Sequence, residues 1–400
     1  MNVLVINSGS SSIKYELCAM DSGRSLIAGE VQRIGQKAAT LRQEDRESGE
    51  LAGVEREVDA PDHRAALDEI VHALDVGAGA PGLVGVGHRV VHGGERFTGP
   101  VLIDDAVVDE IADLARLAPL HTAANLAGIH ATRTRLPDLP QVAVFDTTFH
   151  RTIPPYACEY ALPRAIARKH GIRRYGFHGT SHAYVASRAA QLLGRPLDSL
   201  NLITLHLGNG ASITAIRGGT SVDTSMGMTP LEGLVMGTRC GDVDPAVPLL
   251  LREIEDCTRE DVHRILNHES GLKGLCGESD MREVHRMIDE GDPDARLALE
   301  MFCYRIKKYV GAYYAVLEHV DGLVFTGGIG ENDTDVRARV CAGMTGMGID
   351  IDLERNGATV GGERAIQREG SAVALFVIPT DEEFEIARLT LECIRDTRAG

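Results

Sequence analysis

Six small polar residues interrupt the first apolar run of the chain. Val3-Leu4-Val5-Ile6 leads into Asn7-Ser8-Gly9-Ser10-Ser11-Ser12, and a polar–apolar alternation then resumes through Lys14. An ordinary hairpin turn needs only about two to five residues. Small residues let a ligand approach the backbone, and hydroxyls beside free N–H groups suit an anion such as phosphate, with Lys14 as its cation. Five further stretches carry residues able to do chemistry. GHRVVHGGE at 87–95 sets Arg89 between two histidines, and FDTTFH at 145–150 places Asp146 just past a strand-like run. RRYGFHGTSH at 173–182 holds His178, a long stretch without regular periodicity at 223–245 carries Arg239, and IPTDEEF at 378–384 ends an apolar run in three acids. Each also has a plain structural reading. Arginine beside histidine on a strand is commonly a surface or interface feature. His178 and His182 lack the glutamate of H-E-x-x-H that would make them a metal pair, which leaves His182 a capping or core role. His121, His150 and His206 read as polar groups at strand ends, and Asp381, Glu382 and Glu383 as a solvated helix N-terminus.

The elements that must position these residues alternate between strand-like and helix-like, an α/β pattern. Strands are expected at 83–91, 141–145, 201–207, 322–325 and 372–378. Helices are expected at 64–74, with Leu67, Ile70, Val71 and Leu74 on one stripe, and at 104–117, with Asp104 as N-cap. The aromatics at 301–320 fall at helical spacing and read as a packed helix, in a domain core or a dimer seam. An internal echo says more. LITLHLGNGASITAI at 202–216 repeats the strand, small-residue turn and resumed strand of the N-terminus, with Ser212-Ile213 200 residues after Ser12-Ile13. Two such hairpins suggest a duplicated domain with a cleft between the halves. DGLVFTGGIGEN at 321–332 adds a strand ending in a glycine turn that opens a helix, a suitable anion or nucleotide site. No Walker loop is present, and no G-x-G-x-x-G fingerprint follows a strand-like run. Paired hairpins followed by a GG turn resemble the actin-like ATPase superfold, shared by sugar kinases, chaperone ATPases and acyl kinases.

Length and charge bound the partners. A chain of 400 residues has room for two domains, since single cores stop growing near about 250–300 residues. Glycine, at 44 residues, is above the usual ~7%, as expected of many tight turns. With 41 Lys+Arg against 58 Asp+Glu the net charge is −17, which argues against nucleic acid and anionic membranes and requires local arginines for any anionic substrate. No run of eighteen apolar residues and no signal peptide is seen, and eight scattered cysteines without a C-x-x-C pair fit free thiols in a reducing cytoplasm.

Together the stretches resemble the acetate kinase family, from NSGSSSIKYEL at 7–17 to IPTDEEFEIAR at 378–388. Cys240 stands where that pattern has serine, Asp381 where it has asparagine, and Met228 where it has an aromatic. The resemblance implies two ribonuclease H-like, actin-like domains with an interdomain cleft. The first would be 1–150 with a returning helix at about 382–400, and the second 151–381, carrying nucleotide binding and dimerisation. It implies the reaction ATP plus acetate giving ADP and acetyl phosphate, with magnesium (manganese as the alternative) and a homodimer. By the same resemblance Arg89 holds the carboxylate, Arg239 the transferring phosphoryl group, and His178 donates to the same oxygens. Asp146 is the family's essential acid, read here as an orienting partner of an arginine or of the metal. Asn7 and Glu382 serve the metal, and Lys14, Ser10 and Ser12 the nucleotide phosphates. The nucleotide cradle comprises His206, Leu207, Gly208, Asn209 and Gly210; Asp280, Met281 and Arg282; and Gly328, Ile329, Gly330, Glu331 and Asn332. Val91, Leu120, Phe177 and Pro230 form a methyl pocket that makes propionate a slower substrate. A butyrate or branched-chain kinase, and a non-catalytic actin-like filament protein, are the alternatives.

Overall fold

A computed structural model of the chain describes residues 1–46, 53–74, 82–117, 119–358 and 361–399. The chain divides into two compact units, residues 1–148 with 381–400, and residues 149–380. Strands of the first are β1 (Asn2–Ser8), β2 (Ser12–Ala19), β3 (Arg24–Gln32), β4 (Ala39–Asp45), β5 (Val54–Val58), β6 (Leu83–Val90), β7 (Val101–Leu102) and β8 (Gln141–Phe145). Among the described residues they form one sheet in the order β5-β4-β3-β2-β1-β6-β8-β7.

The N-terminal apolar run is continuous because β1 is covered on both faces. Leu4 and Ile6 point into a cluster with Leu67 and Ile70 of helix His63–Ala73, whereas Val3 and Val5 point into one with Ile386 and Leu391 of helix Glu382–Ala399. Helix His63–Ala73 starts one residue before the expected 64, capped by Asp62, whose side chain accepts from the Ala65 N–H. Asp104 caps its helix as expected, although the α-helix ends at Asp113 and passes into a 3-10 turn at Leu114–Arg116.

On β6 the residues facing the C-terminal helix are glycines. A Cβ at Gly87 would overlap Thr390 Oγ1 and lie 2.9 Å from Ile386 Cγ2, and one at Gly85 would overlap Ile394 and meet the Pro140 carbonyl at 3.0 Å. The absent side chains let helix Glu382–Ala399 lie directly on the sheet. That contact sets the position of Glu382 at the helix start.

The second unit contains β9 (Asn201–Leu207), β10 (Ala211–Arg217), β11 (Thr220–Thr224), β12 (Gly322–Thr326), β13 (Arg364–Ala365) and β14 (Ala374–Val377), ordered β11-β10-β9-β12-β14-β13 among the described residues. Set beside β3-β2-β1-β6-β8, the run β11-β10-β9-β12-β14 has the same order and the same senses. In both, the first two hairpin pairings are antiparallel and the next two parallel. The duplication expected from the two hairpins is present as a repeated five-stranded topology. Helix Gly179–Leu193 contributes Val185, Ala186 and Ala189 to a cluster with Leu202 and Val324. Helix Pro293–Leu317, capped by Asp292, buries Phe302, Ile306 and Val310 and packs on β10. The expected functional segment at 223–245 starts inside β11 and then runs without helix or strand to residue 245, with Met226, Leu234 and Met236 buried. No helix among the described residues is long and apolar enough to cross a membrane.

Gly87→Ala should lower the unfolding free energy by about 1–3 kcal/mol, because the added methyl must displace Thr390 or Ile386 in a packed interface. Urea unfolding followed by circular dichroism measures this; an unchanged midpoint would mean the helix does not rest on β6.

Candidate active site

In the first unit the ends of three adjacent parallel strands meet the start of the C-terminal helix, the position at which open α/β sheets place ligands. Asn7 and Arg89 lie next to last on β1 and β6, and Asp146 follows β8, its N–H donating to the Val90 carbonyl at 3.0 Å. Arg89 forks onto Asp146, Nε to Oδ1 at 3.0 Å and Nη2 to Oδ2 at 2.7 Å. Its Nη1 donates to Asn7 Oδ1 at 3.5 Å, and Nη2 lies 3.9 Å from Glu382 Oε2. Asp146 is 2% exposed, Arg89 23% and Glu382 19%, so the cation has an open side while its main counter-ion is sealed. Burial works against the Arg89 charge, but Asp146 and Glu382 outweigh it and hold the guanidinium protonated. Burial pushes the Asp146 carboxyl up, opposed by the same guanidinium bonded to both its oxygens. Arginine does not give up its proton in proteins, so the two form an ion pair. This geometry supports reading Asp146 as the orienting partner of an arginine.

The serine-rich turn is pinned around this cluster. The Gly9 N–H donates to the Ser12 carbonyl at 2.8 Å, His63 Nε2 lies 2.7 Å from the Gly9 carbonyl oxygen, and Asn125 donates to the Ser8 carbonyl at 3.1 Å. Ser10 and Lys14 are exposed and Ser12 half-buried, Lys14 standing opposite Asn7 in the hairpin register. Asp381 accepts from the Phe384 N–H at 2.8 Å, so the carboxylate found where asparagine was expected caps the helix at its positive end. Glu16 lies behind the cluster on β2. Burial first, helped by Asp381 and Glu383, lifts its carboxyl to about 7, while Ser25 and Arg46 pull the other way.

In the second unit His178 precedes helix Gly179–Leu193 with φ 57°, a left-handed backbone that costs a non-glycine residue about 1 kcal/mol or more and recurs at functional sites. Its ring stacks on His206 with centroids 4.3 Å apart. Arg239 donates through Nη1 to the Pro230 carbonyl at 3.0 Å, and burial lowers its pKa. The two side chains meet at the β9–β10 turn: Arg239 Nη1 and His178 Nε2 each lie 3.6 Å from the point where Gly210 would carry a Cβ. Glycine leaves that point open to a ligand.

The same turn borders a cavity of about 930 Å³. Gly208 and Asn209, Asp280, Met281 and Arg282, and Gly328, Ile329 and Asn332 all line it, so three separate segments named from sequence converge. Gly327, at φ 76°, lets the GG turn pack on Leu207, whose carbonyl oxygen would lie 2.8 Å from a Cβ there. Two cradle residues face inward instead: Leu207 is buried, and Glu331 accepts from the Gly327 N–H at 3.0 Å and the Thr380 N–H at 3.3 Å. Arg337, fully buried, donates to the Gly330 and Glu331 carbonyls at 2.9 Å and anchors the far end of that short helix. His285, bonded to Asp333 at 2.8 Å, also lines the cavity. Sequence reading missed His285 and Asp333, since residues 48 apart carry no local signal. Missed too were Ser181 and Ser212 as partners of the histidines; the one trace was Ser212 as the serine that closes the second hairpin. His182 and His150 are core residues, bonded to Thr204 and Ser212, and to Ser221 and the Phe177 carbonyl. Of the methyl-pocket residues, Val91 follows Arg89 by two positions, Phe177 is buried and Pro230 half-buried in the second unit, and the Leu120 side chain lies outside the described residues.

Among the described residues no three His, Cys, Asp or Glu side chains cluster as a self-sufficient metal site. The amide oxygen of Asn7 and the carboxylate of Glu382 are hard donors, of the kind that suit a divalent cation.

Comparison with known proteins places these sites in context. The acetokinase family matches residues 2–388. An acetate kinase of Syntrophobacter fumaroxidans is 53% identical over 100% of this chain and 98% of its own length. Among solved structures, an acetate kinase of Porphyromonas gingivalis superposes with TM-score 0.93 at 45% identity, covering 98% of this chain and 99% of its own. A propionate kinase of Francisella tularensis does so with TM-score 0.91 at 39%, covering 98% and 99%.

A pH dependence follows from Glu16. Its folded pKa of about 7 lies above the ordinary 4.5, so the folded protein binds the extra proton across that window and stability falls as pH rises from 4.5 to 7. Glu16→Gln should flatten part of this decline and raise the thermal midpoint above pH 7; an unchanged midpoint–pH curve would refute the assignment.

Proposed function

The chain belongs to the acetokinase family, and from that membership and its two sites we propose that it transfers the γ-phosphoryl group of ATP to acetate, reversibly. The observation that carries this reading is the open point flanked by Arg239 and His178 beside a cavity of nucleoside size. The cavity's Asp280 and Asp333 accept hydrogen bonds and suit the hydroxyls of a ribose, while the phosphate tail suits Arg239 and His178.

Acetate, with a pKa near that of a glutamate side chain (about 4.3), is already ionised and needs no base. One of its oxygens attacks the γ-phosphorus in line, and the bond from that phosphorus to the ADP oxygen breaks as the new one forms. The difficulty is repulsion between two anions, so catalysis is positioning and charge neutralisation. Arg89 neutralises the carboxylate, its orientation held by the fork onto Asp146. Arg239 and His178 donate to the equatorial oxygens of the phosphoryl group, where charge spreads in the transition state. Asn7 and Glu382 would hold magnesium, which supplies further neutralisation of the phosphates. In the first unit, Lys14, Ser10 and Ser12 are the groups suited to nucleotide phosphates.

An extra methylene is worth only ~1–3 kcal/mol in an apolar pocket, so propionate is a slower substrate, in keeping with a propionate kinase among the structural relatives. We also infer a homodimer formed through the second unit, supported by exposed Leu249, Leu250 and Ile254 on helix Val247–Ile254. The eight free cysteines fit a cytoplasmic setting.

Purified protein with ATP, magnesium and acetate should yield acyl phosphate, trapped as hydroxamate; no product with any short carboxylate would overturn the reading. Asp146→Asn should cost about 10²-fold or more in turnover and raise KM for acetate more than KM for ATP. Steady-state kinetics decides this, and retention of most turnover would remove Asp146 from its role. Light scattering should give twice the chain mass, and a monomer would exclude the dimer.

A further inference from the structure

The stacked pair His178 and His206 is backed by two hydroxyl chains that the proposed chemistry does not use directly. Ser212 Oγ lies 2.9 Å from His178 Nδ1 and 2.8 Å from His182 Nε2, and His182 Nδ1 lies 2.7 Å from Thr204 Oγ1. In parallel, Thr380 Oγ1 donates to Ser181 Oγ at 2.8 Å, and Ser181 Oγ lies 2.8 Å from His206 Nδ1. Ser181, Ser212 and Thr204 are fully buried.

One assignment of the protons satisfies both chains. A hydroxyl has one proton to give. Ser181 accepts from Thr380, and in this assignment its own proton goes to His206 Nδ1. His182 is buried and held neutral, well below the usual imidazole range, and therefore carries a single N–H. With that N–H on Nε2, His182 donates to Ser212, Ser212 donates to His178 Nδ1, and Thr204 donates to His182 Nδ1. Every polar atom along the chain is then paired.

We propose that Ser181 and Ser212 are positioning residues that hold His206 and His178 as neutral imidazoles with the proton on Nε2. A neutral ring whose Nδ1 accepts a serine proton must keep its own proton on the far nitrogen. For His178 that nitrogen faces the open point at Gly210 shared with Arg239. Two stacked rings thereby present N–H donors without two positive charges 4.3 Å apart. This rests on the kinase reading for its use, but the tautomers are a property of the protein alone.

Long-range proton–nitrogen correlation spectra of the full chain labelled with 15N-histidine test it, with His178→Gln and His206→Gln assigning the signals. The wild type should show both rings protonated at Nε2. Ser212→Ala should shift His178 to mixed tautomers and leave His206 unchanged, and Ser181→Ala should do the reverse. Each should lower kcat about tenfold, the effect of losing one hydrogen bond to a working group, with KM for acetate and ATP within about twofold. Ser212→Thr and Ser181→Thr should restore both readouts. A wild-type proton on Nδ1 of either ring, or alanine variants with unchanged tautomers and turnover, would overturn the proposal. Should an alanine variant not fold, the wild-type and threonine spectra still decide. A wild type with these tautomers but no acyl phosphate product would sink the kinase reading and leave this one standing.

Discussion

A guanidinium half-buried at the end of a strand needs a counter-ion it cannot lose, because leaving one charge of such a pair alone costs several kcal/mol. Asp146, on the neighbouring strand end and 2% exposed, meets that need for Arg89. The remainder of the first unit follows from it. β1, β6 and β8 must run parallel so that Asn7, Arg89 and Asp146 come out at the same edge, and a helix must begin there to present Glu382. The glycine face of β6 serves this arrangement by letting that helix lie close. In an acidic molecule of net charge −17, such fixed local cations are what an anion can find.

The second unit solves a related problem with the same strand order and different side chains. Its hydrogen-bond donors sit on irregular backbone and at a helix entrance, in place of strand ends: Arg239 in the segment after β11, His178 in left-handed conformation. Loop positions let side chains converge on one point from several directions. Precision then depends on buried partners: Ser181, Ser212, His182 and Thr204 are sealed behind His178 and His206, while the cavity wall of Asp280 and Arg282 is open.

Much of this was legible in the residues. The apolar runs of β1, β9 and β12 mark strands covered on both faces, and the small residues between paired runs mark two hairpins whose topological equivalence the sheets display. The cradle segments were legible as separate motifs, and their convergence on one cavity needed coordinates. Less visible were features made of distant residues: the His285–Asp333 pair, the inward use of Glu331, the Arg337 anchor and the serines behind the histidines. Asp381 shows another limit. Its place in an acidic helix N-terminus was legible, but that its carboxylate accepts from the Phe384 N–H and caps the helix is set by backbone geometry that residue type alone does not disclose.

Because the first unit takes residues from both sides of the second, its assembly has an order in time. During synthesis residues 1–148 emerge early, but the helix that covers Val3, Val5 and the β6 glycines follows 252 residues later, counting from 148 to 400. At ribosomal rates of ~5–20 residues per second that is an interval of roughly 13–50 s. Through it one sheet face stays bare, while residues 149–380 can fold as a continuous stretch. The half of the molecule translated first is the last to close, and nascent chains stalled within that interval are the ones most in need of a chaperone.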